Sequence, residues 1–281
     1  MTDITEKAST EPCTACDWTP EQQSQCHSES HVKLFYGAST RGTRSIGPDV
    51  ILKERPNEGP KTEVKTMKYL ARHAFDIPVP RVLRDWVDCN DRYFVMTERI
   101  QGQTFEEVWS SLSIEQKISI ADELVDVRKR LRTLTSPAIQ DVDGEPCFFH
   151  SDAELWDAIS LHLQKLNVPS KAVDSLRARY PKCQPYVFSH CDLNLGNIIV
   201  KDGKLAGVLD WEFSAFYPIW YEYLSASWGW TGEDYEWKKL LQQSMRQSGD
   251  GYEEAEFWRD LRKLNTYPNL NGKWKRVLER L

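Results

Sequence analysis

YVFSHCDLNLGNIIVKDGKLAGVLDW, Tyr186 to Trp211, is the stretch that decides how this chain is read. Its apolar opening, YVF, has the character of a buried strand entering a polar loop. The loop carries His190, Asp192 and Asn197 in the pattern H-x-D-x-x-x-x-N. Two β-rich runs follow, NIIVK and KLAGVLDW, joined by Asp202-Gly203, a strong short-range hairpin signal. A two-residue turn there sets Lys201 opposite Lys204, and counting back sets Asn197 opposite Val208. Asp210 lies just past Val208, at the same open end. Asp192, Asn197 and Asp210 are therefore expected at one mouth.

Two carboxylates and an amide oxygen are a hard-oxygen set suited to Mg²⁺, which takes few protein ligands and completes its shell with phosphate oxygens and water. Phosphoryl transfer needs such a site, with one carboxylate left to orient the attacking hydroxyl. An Asp-rich loop that merely bonds its own turn backbone would account for a lone H-x-D. It does not account for the full spacing together with a hairpin that returns a second Asp.

On these residues the chain resembles the aminoglycoside phosphotransferase and choline kinase family. HCDLNLGN followed by GVLDWE is similar to that family's catalytic and metal-binding segments, and WEFSAFYPIWYEYL resembles a fungal branch of it. The resemblance runs from about Val32 to Trp228. It implies an α+β, two-lobed protein-kinase-like fold, with ATP and Mg²⁺ as cofactors and a small-molecule hydroxyl as acceptor. In that frame Asp192 is the catalytic residue that takes the hydroxyl proton, Asn197 and Asp210 hold the metal, and His190 braces the loop. Cys191 departs from the pattern, standing where the family usually has Gly. Because Asp192 and Asn197 keep the family spacing, the loop is expected to tolerate Cys191 at a backbone angle open to any L-residue.

Composition agrees with a globular protein of one large or two small domains. The 281 residues carry a formal charge of −6 and are 40% hydrophobic, enough chain to bury a core. An acidic balance argues against nucleic acid as a partner. No apolar run approaches the length that spans a bilayer, and MTDITEKASTEP lacks the pattern of a signal peptide. Seven cysteines in irregular spacing do not form a secreted disulfide framework. A cytoplasmic protein with reduced thiols is expected.

Three segments are anticipated: a disordered polar tail over residues 1–30, a nucleotide-binding lobe over 31–102 and a helical lobe over 103–281. The tail holds Cys13, Cys16, Cys26 and His31, a weak zinc pattern with nothing apolar around it to build a knuckle. In the first lobe, HVKLFY and DVILKE read as strands around a turn region, GASTRGTRSIG, whose tip includes Ser39. Lys53 closes the apolar run VIL and is expected to aim its ammonium into the cleft. Val64, Met67, Leu70 and Ala71 recur on one helical face, and Glu63, one turn before Met67, is placed to pair with Lys53. The resemblance implies that Lys53 binds the α- and β-phosphates and that Glu63 positions it. IPVP (Ile77 to Pro80) is a connector that cannot be helical. Two strands follow, the second ending at Met96-Thr97-Glu98-Arg99. The resemblance makes this the hinge, with backbone groups of Thr97 and Arg99 meeting the adenine.

Beyond Thr104 the period turns helical. Ser113 and Gln116 form a capping box, followed by the stripe Ile120, Leu124, Val127, Leu131 and Leu134. Ser151 and Glu154 cap another helix, with Leu155, Ile159, Leu163 and Leu166 inward. Further helices are expected near Ser170 to Arg179, Glu233 to Arg246 and Glu253 to Leu264, with a basic one at the end. His150 and His162 have no partner at metal spacing. Trp211, Trp220, Trp228 and Trp230 interleave with Glu212, Glu222, Glu233, Asp234 and Glu236, which suits either a wall for a cationic amine or tryptophans packing the helical lobe. Two alternatives stay open: a catalytically silent kinase-like protein that binds nucleotide or a partner, and a protein kinase. The first is opposed by the intact polar positions. The second is opposed by DWE in place of D-F-G and by the lack of an A-P-E segment.

Overall fold

The computed structural model describes residues 32–38, 41–145, 151–165, 168–227, 229–249, 257 and 261. The expected tail, the Cys/His set, Ser39, His150, Leu166, Trp228 and most of the last two expected helices lie outside them.

Strands β1 (Val32–Ala38), β2 (Arg41–Ile46) and β3 (Val50–Pro56) form an antiparallel meander. This corrects the long turn anticipated over residues 37–47, most of which is β2. RGTRSI is polar and shows no strand periodicity. It is extended because ladders on both sides take up its backbone groups, while Arg44 pairs across with Glu54, which also holds Arg92 at 3.0 Å.

Helix α1 (Thr62–His73) buries Val64, Met67 and Leu70 as their spacing implies. Ala71, placed on the same face, is exposed. The buried stripe is rotated toward Thr66, which is fully buried and accepts a bond from Ser214 Oγ at 3.2 Å. β4 (Val82–Val87) and β5 (Arg92–Glu98) complete the sheet in the order β1-β2-β3-β5-β4.

At Gly102 the chain leaves this sheet. β6 (Gln103–Thr104) pairs instead with β9 (Ile198–Lys201), which pairs with β10 (Lys204–Val208). Gly102 has φ +141°, and a Cβ there would lie 2.5 Å from the Val200 carbonyl oxygen, so only glycine fits the crossing. Capping boxes at Thr104/Glu107 and Ser113/Gln116 start helices α2 (Phe105–Val108) and α3 (Ile114–Leu131). Ile120, Leu124, Val127 and Leu131 are buried, whereas Leu134 lies past the helix end and is half-buried.

A third sheet joins β7 (Thr135–Ser136), β8 (Tyr186–Ser189) and β11 (Ala215–Pro218) in the order β11-β8-β7. Helices α4 (Asp152–Lys165), α5 (Ser170–Ala178), α6 (Tyr221–Ser225) and α7 (Gly232–Gln247) surround it. Ser151 Oγ caps α4 through the Glu154 N–H. One core cluster runs from Val64 and Met67 on α1 to Trp237 and Leu241 on α7, so both parts of the chain share apolar contacts. Among the described residues, no helix is long and apolar enough to cross a membrane.

Candidate active site

The hairpin has the turn that Asp202-Gly203 implies, with φ of 52° and 74° at the two positions. Lys201 faces Lys204, and Val200 faces Leu205, as counted from sequence. A bulge between Leu205 and Gly207 then adds one residue to β10, so Val208 faces Ile198. The expected Asn197–Val208 pairing is corrected by this slip: Asn197 faces Leu209, whose N–H donates to the Asn197 carbonyl at 2.7 Å. Gly207 lies at the bulge beneath the Ile100 side chain, which would meet any Cβ there. The slip brings Asp210 directly after the residue paired with Asn197. Asp210 is itself left-handed, with φ 58°.

The loop before the hairpin is built by its own polar side chains. Asn194 Oδ1 accepts from Asn197 N–H at 3.1 Å, and Asn194 Nδ2 donates to Asp192 Oδ1 at 3.1 Å. Asn197 Nδ2 donates to both the carbonyl and Oδ2 of Asp192 at 2.9 Å. That orientation leaves Asn197 Oδ1 pointing away from Asp192, as an oxygen ligand would. Burial pushes the Asp192 carboxyl above its ordinary range, while the Lys238 ammonium and the two Asn amides pull it back only in part.

His190 is fully buried beneath Trp211, with ring centroids 4.5 Å apart. Its Nδ1 accepts from Asp192 N–H at 3.1 Å, so its Nε2–H donates to the Leu209 carbonyl at 2.8 Å. One neutral imidazole thus ties the 190–197 loop to the far strand of the hairpin. Burial pushes its pKa down to about 4. The His190 ring signals in an NMR titration should therefore not shift between pH 7.5 and 5.5. A midpoint near 6.5 would mean that the ring is not enclosed.

On the other side of the cleft, Lys53 in β3 hydrogen-bonds Glu63 in the first turn of α1. Its Nζ is also 3.8 Å from Asp210 Oδ1. Burial alone would lower the Lys53 pKa, but the Glu63 and Asp210 carboxylates outweigh it and raise the value. The residues anticipated from sequence on the two sides therefore meet: Lys53 and Glu63 from the first sheet and helix, Asp210 from the hairpin. Arg41 of β2 reaches across as well, 3.4 Å from Glu212.

Thr97 is buried in β5, between β3 and β4. The Arg99 N–H donates to the Asp49 carbonyl at 2.8 Å and is occupied within the fold. Ser39 lies outside the described residues. Among the described residues, no group of three or more His, Cys, Asp or Glu side chains is arranged to hold a metal. The donors present fit Mg²⁺ in its usual sparse mode, with the Asn197 oxygen and the Asp210 carboxylate beside a lysine suited to phosphate.

Of the two readings left open for the interleaved tryptophans and acids, packing of the helical lobe is the one that Trp211 and Trp220 follow. Trp211 and Trp220 are fully buried, and Trp230 is 85% exposed. Glu222 is buried and accepts from His190 N–H at 2.6 Å and Cys191 N–H at 3.0 Å. Asp234 is buried too and accepts from Leu195 N–H at 3.0 Å. Backbone bonds to the catalytic loop, not an amine site, explain why carboxylates interleave with tryptophans here. Sequence reading had both residues in view but had no means of seeing their targets. Asn194, Trp237 and Lys238 were missed altogether.

Cys191 has φ 69°, in the left-handed region that disfavours side chains. The expectation of a backbone angle open to any L-residue is therefore wrong. The two Glu222 bonds hold the loop in this shape whatever residue occupies it. Cys191→Gly should then raise stability by about 0.5–1 kcal/mol, the strain relieved less the extra entropy of an unfolded glycine. A denaturant midpoint that stays put or falls would show that the thiol's packing outweighs the strain.

Residues 41–258 match the family model described as "Phosphotransferase enzyme family". Among curated proteins, none matches the chain at a significant level. Solved structures do. A thermostable mutant of aminoglycoside phosphotransferase APH(4)-Ia, in its apo form, aligns with a TM-score of 0.60 and 16% identity, covering 89% of this chain and 94% of that one. A ternary complex of such a mutant with AMP-PNP and hygromycin B aligns with a TM-score of 0.61 and 16% identity, covering 88% and 93%. The streptomycin-ATP-APH(2")-IIa ternary complex aligns with a TM-score of 0.56 and 12% identity, covering 89% and 90%. The α+β fold is that of these kinase-like proteins. With the family matched over most of its length, on the same residues that build the cleft, the chain belongs to the phosphotransferase enzyme family.

Proposed function

We propose that this protein transfers the γ-phosphoryl group of ATP to a hydroxyl of a small molecule, with residues 31–102 carrying the nucleotide and residues 103–281 the acceptor. The observation that carries the reading is the meeting of Lys53, Glu63 and Asp210 opposite a loop in which Asn197 is bonded to Asp192. Lys53 would bind phosphate oxygens, held in place by Glu63. Asn197 and Asp210 would hold Mg²⁺, which supplies charge neutralisation at the phosphates when bound.

Asp192 would orient the acceptor hydroxyl and take its proton as the oxygen bonds to phosphorus and ADP leaves. A partly desolvated carboxylate with a raised pKa is a better proton acceptor near neutrality than an exposed one. Because the Arg99 N–H is bonded to Asp49, an adenine at this edge would use other backbone groups or displace that bond.

The family match and the nucleotide-bound neighbours support ATP, and aminoglycoside-bound neighbours support a polyhydroxylated small molecule. A cationic amine in the acceptor would meet the exposed Trp230 and the exposed Glu233 and Glu236, rather than the buried tryptophans. The test is a screen of hydroxylated metabolites and aminoglycosides for acceptor-dependent ADP release with Mg-ATP. Release that no compound stimulates, in protein that binds Mg-ATP, would favour a silent nucleotide-binding role.

A further inference from the structure

Helix α7 carries three inward side chains that the reaction described above leaves unused. Asp234, Trp237 and Lys238 lie at i, i+3 and i+4, on one face of the helix. Each is at least nine-tenths buried, with exposures of 3%, 0% and 3%. One Asp234 oxygen accepts from Leu195 N–H at 3.0 Å and the other from Trp230 N–H at 3.1 Å. Trp237 Nε1 donates to the Leu193 carbonyl at 3.0 Å. The helix therefore grips the catalytic loop on both sides of Asn194, the residue that bonds both Asp192 and Asn197.

Lys238 stands one turn beyond Asp234. It is 3% exposed on the same helix face, and the groups that act electrostatically on its ammonium are Asp234 of its own helix, Asp192 and Cys191 of the loop and Glu222 of α6; it acts on His190 in turn. Arg128 of α3, which donates to the Ile219 carbonyl at 3.4 Å, acts on Glu222, and Asp210 acts on Asp192 from the hairpin. Glu222 and Asp234 are buried and Asp192 is half-buried, and carboxylates gathered on one loop repel one another unless a buried cation compensates them. Glu222 and Asp234 are each pinned by two backbone N–H groups. Among the described residues, the Asp192 carboxylate is held by the Asn194 and Asn197 amides. Unbalanced repulsion would therefore displace Asp192 first.

We propose that Asp234 and Lys238 are positioning residues for phosphoryl transfer. Asp234 ties the catalytic loop to the segment around Trp230, and Lys238 supplies the buried positive charge that keeps Asp192 in place beside Glu222 and Asp234. The proposal rests on Asp192 being the residue that meets the acceptor.

Two measurements on the full-length protein test it, with Mg-ATP as nucleotide and water as acceptor. In the first, Lys238→Met should lower kcat for ADP release by about 10- to 100-fold, the scale expected of a misplaced reacting group. KM for Mg-ATP should stay within about twofold, and Lys238→Arg should recover most of the loss. An unchanged kcat, or parallel losses in kcat, KM and melting temperature, would overturn the role of Lys238. In the second, hydrogen exchange in Asp234→Asn should quicken together at residues 193–197 and 229–231 and stay unchanged at 240–247. Quickening across the whole chain, or in one segment alone, would overturn the tie. Should the wild type release no ADP with water or with any compound of the acceptor screen, the phosphotransfer reading fails first. Hydrogen exchange in both variants then still decides whether α7 holds the loop, with Lys238→Met expected to quicken residues 191–195.

Discussion

Asp192→Asn should leave Mg-ATP affinity nearly unchanged while turnover of an identified acceptor falls by about two to four orders of magnitude. The substitution keeps the size of the side chain. An Asn carboxamide can still accept a bond from Asn197 Nδ2 through its oxygen, as Asp192 Oδ2 does at 2.9 Å. Its NH2 group would meet the Asn194 amide, which now donates to Asp192 Oδ1, and because Asn194 Oδ1 is held by the Asn197 N–H that one bond is lost. That costs the loop little beside the loss of a proton acceptor. The phosphates are assigned to Lys53 and the metal to Asn197 and Asp210, so nucleotide binding has no reason to change. Turnover within about tenfold of wild type, with intact nucleotide binding, would remove Asp192 from the role given to it.

Asp210→Asn should abolish most of the stabilisation that Mg-ATP confers on the folded protein. At a ligand concentration of 100 times Kd that stabilisation is about 2.7 kcal/mol, a rise of roughly 5–10 °C in Tm for a protein of this size. Asparagine is chosen over alanine because Asp210 has φ 58°, a conformation that Asn tolerates and Ala does not. The unliganded Tm then stays a fair baseline. Lys53 keeps its bond to Glu63 in the variant, so the phosphate-facing ammonium remains in place and only the charged oxygen ligand is lost. A Mg-ATP shift equal to that of the wild type would mean that the metal is held elsewhere. The two substitutions separate the proposed roles, since one is expected to spare binding and the other to spare the unliganded fold.

Much of the first lobe was legible because its signals are local. Glu63 meets Lys53 because a strand, a short connection and an apolar helical period leave few ways to arrange the three. β2 was not legible, since a polar strand held by ladders on both edges has no pattern of its own. The interleaved tryptophans and acids after Trp211 left two readings open for a related reason. Sequence shows that carboxylates sit among aromatics, but burial and partners decide whether they bind a ligand or the chain itself. Glu222 and Asp234 bind backbone N–H groups of the catalytic loop, 31 to 39 residues away in sequence.

By itself the sequence determined the polar spacing of the loop, the turn and the helical stripes. H-x-D-x-x-x-x-N, Asp202-Gly203 and the run from Ile120 to Leu131 depend on spacings within a few residues, and short-range sterics and hydrogen bonds enforce those without help from elsewhere. Only the tertiary structure decided the register past Leu205, the left-handed angle at Cys191 and the hold of α7 on the loop. Register beyond a turn is set by what packs on the strand faces, here Ile100 over Gly207, and one extra residue moved Asn197 from Val208 to Leu209. The angle at Cys191 is imposed by the two N–H bonds to buried Glu222. A buried carboxylate must find donors, and which donors it finds depends on where the rest of the chain has brought it.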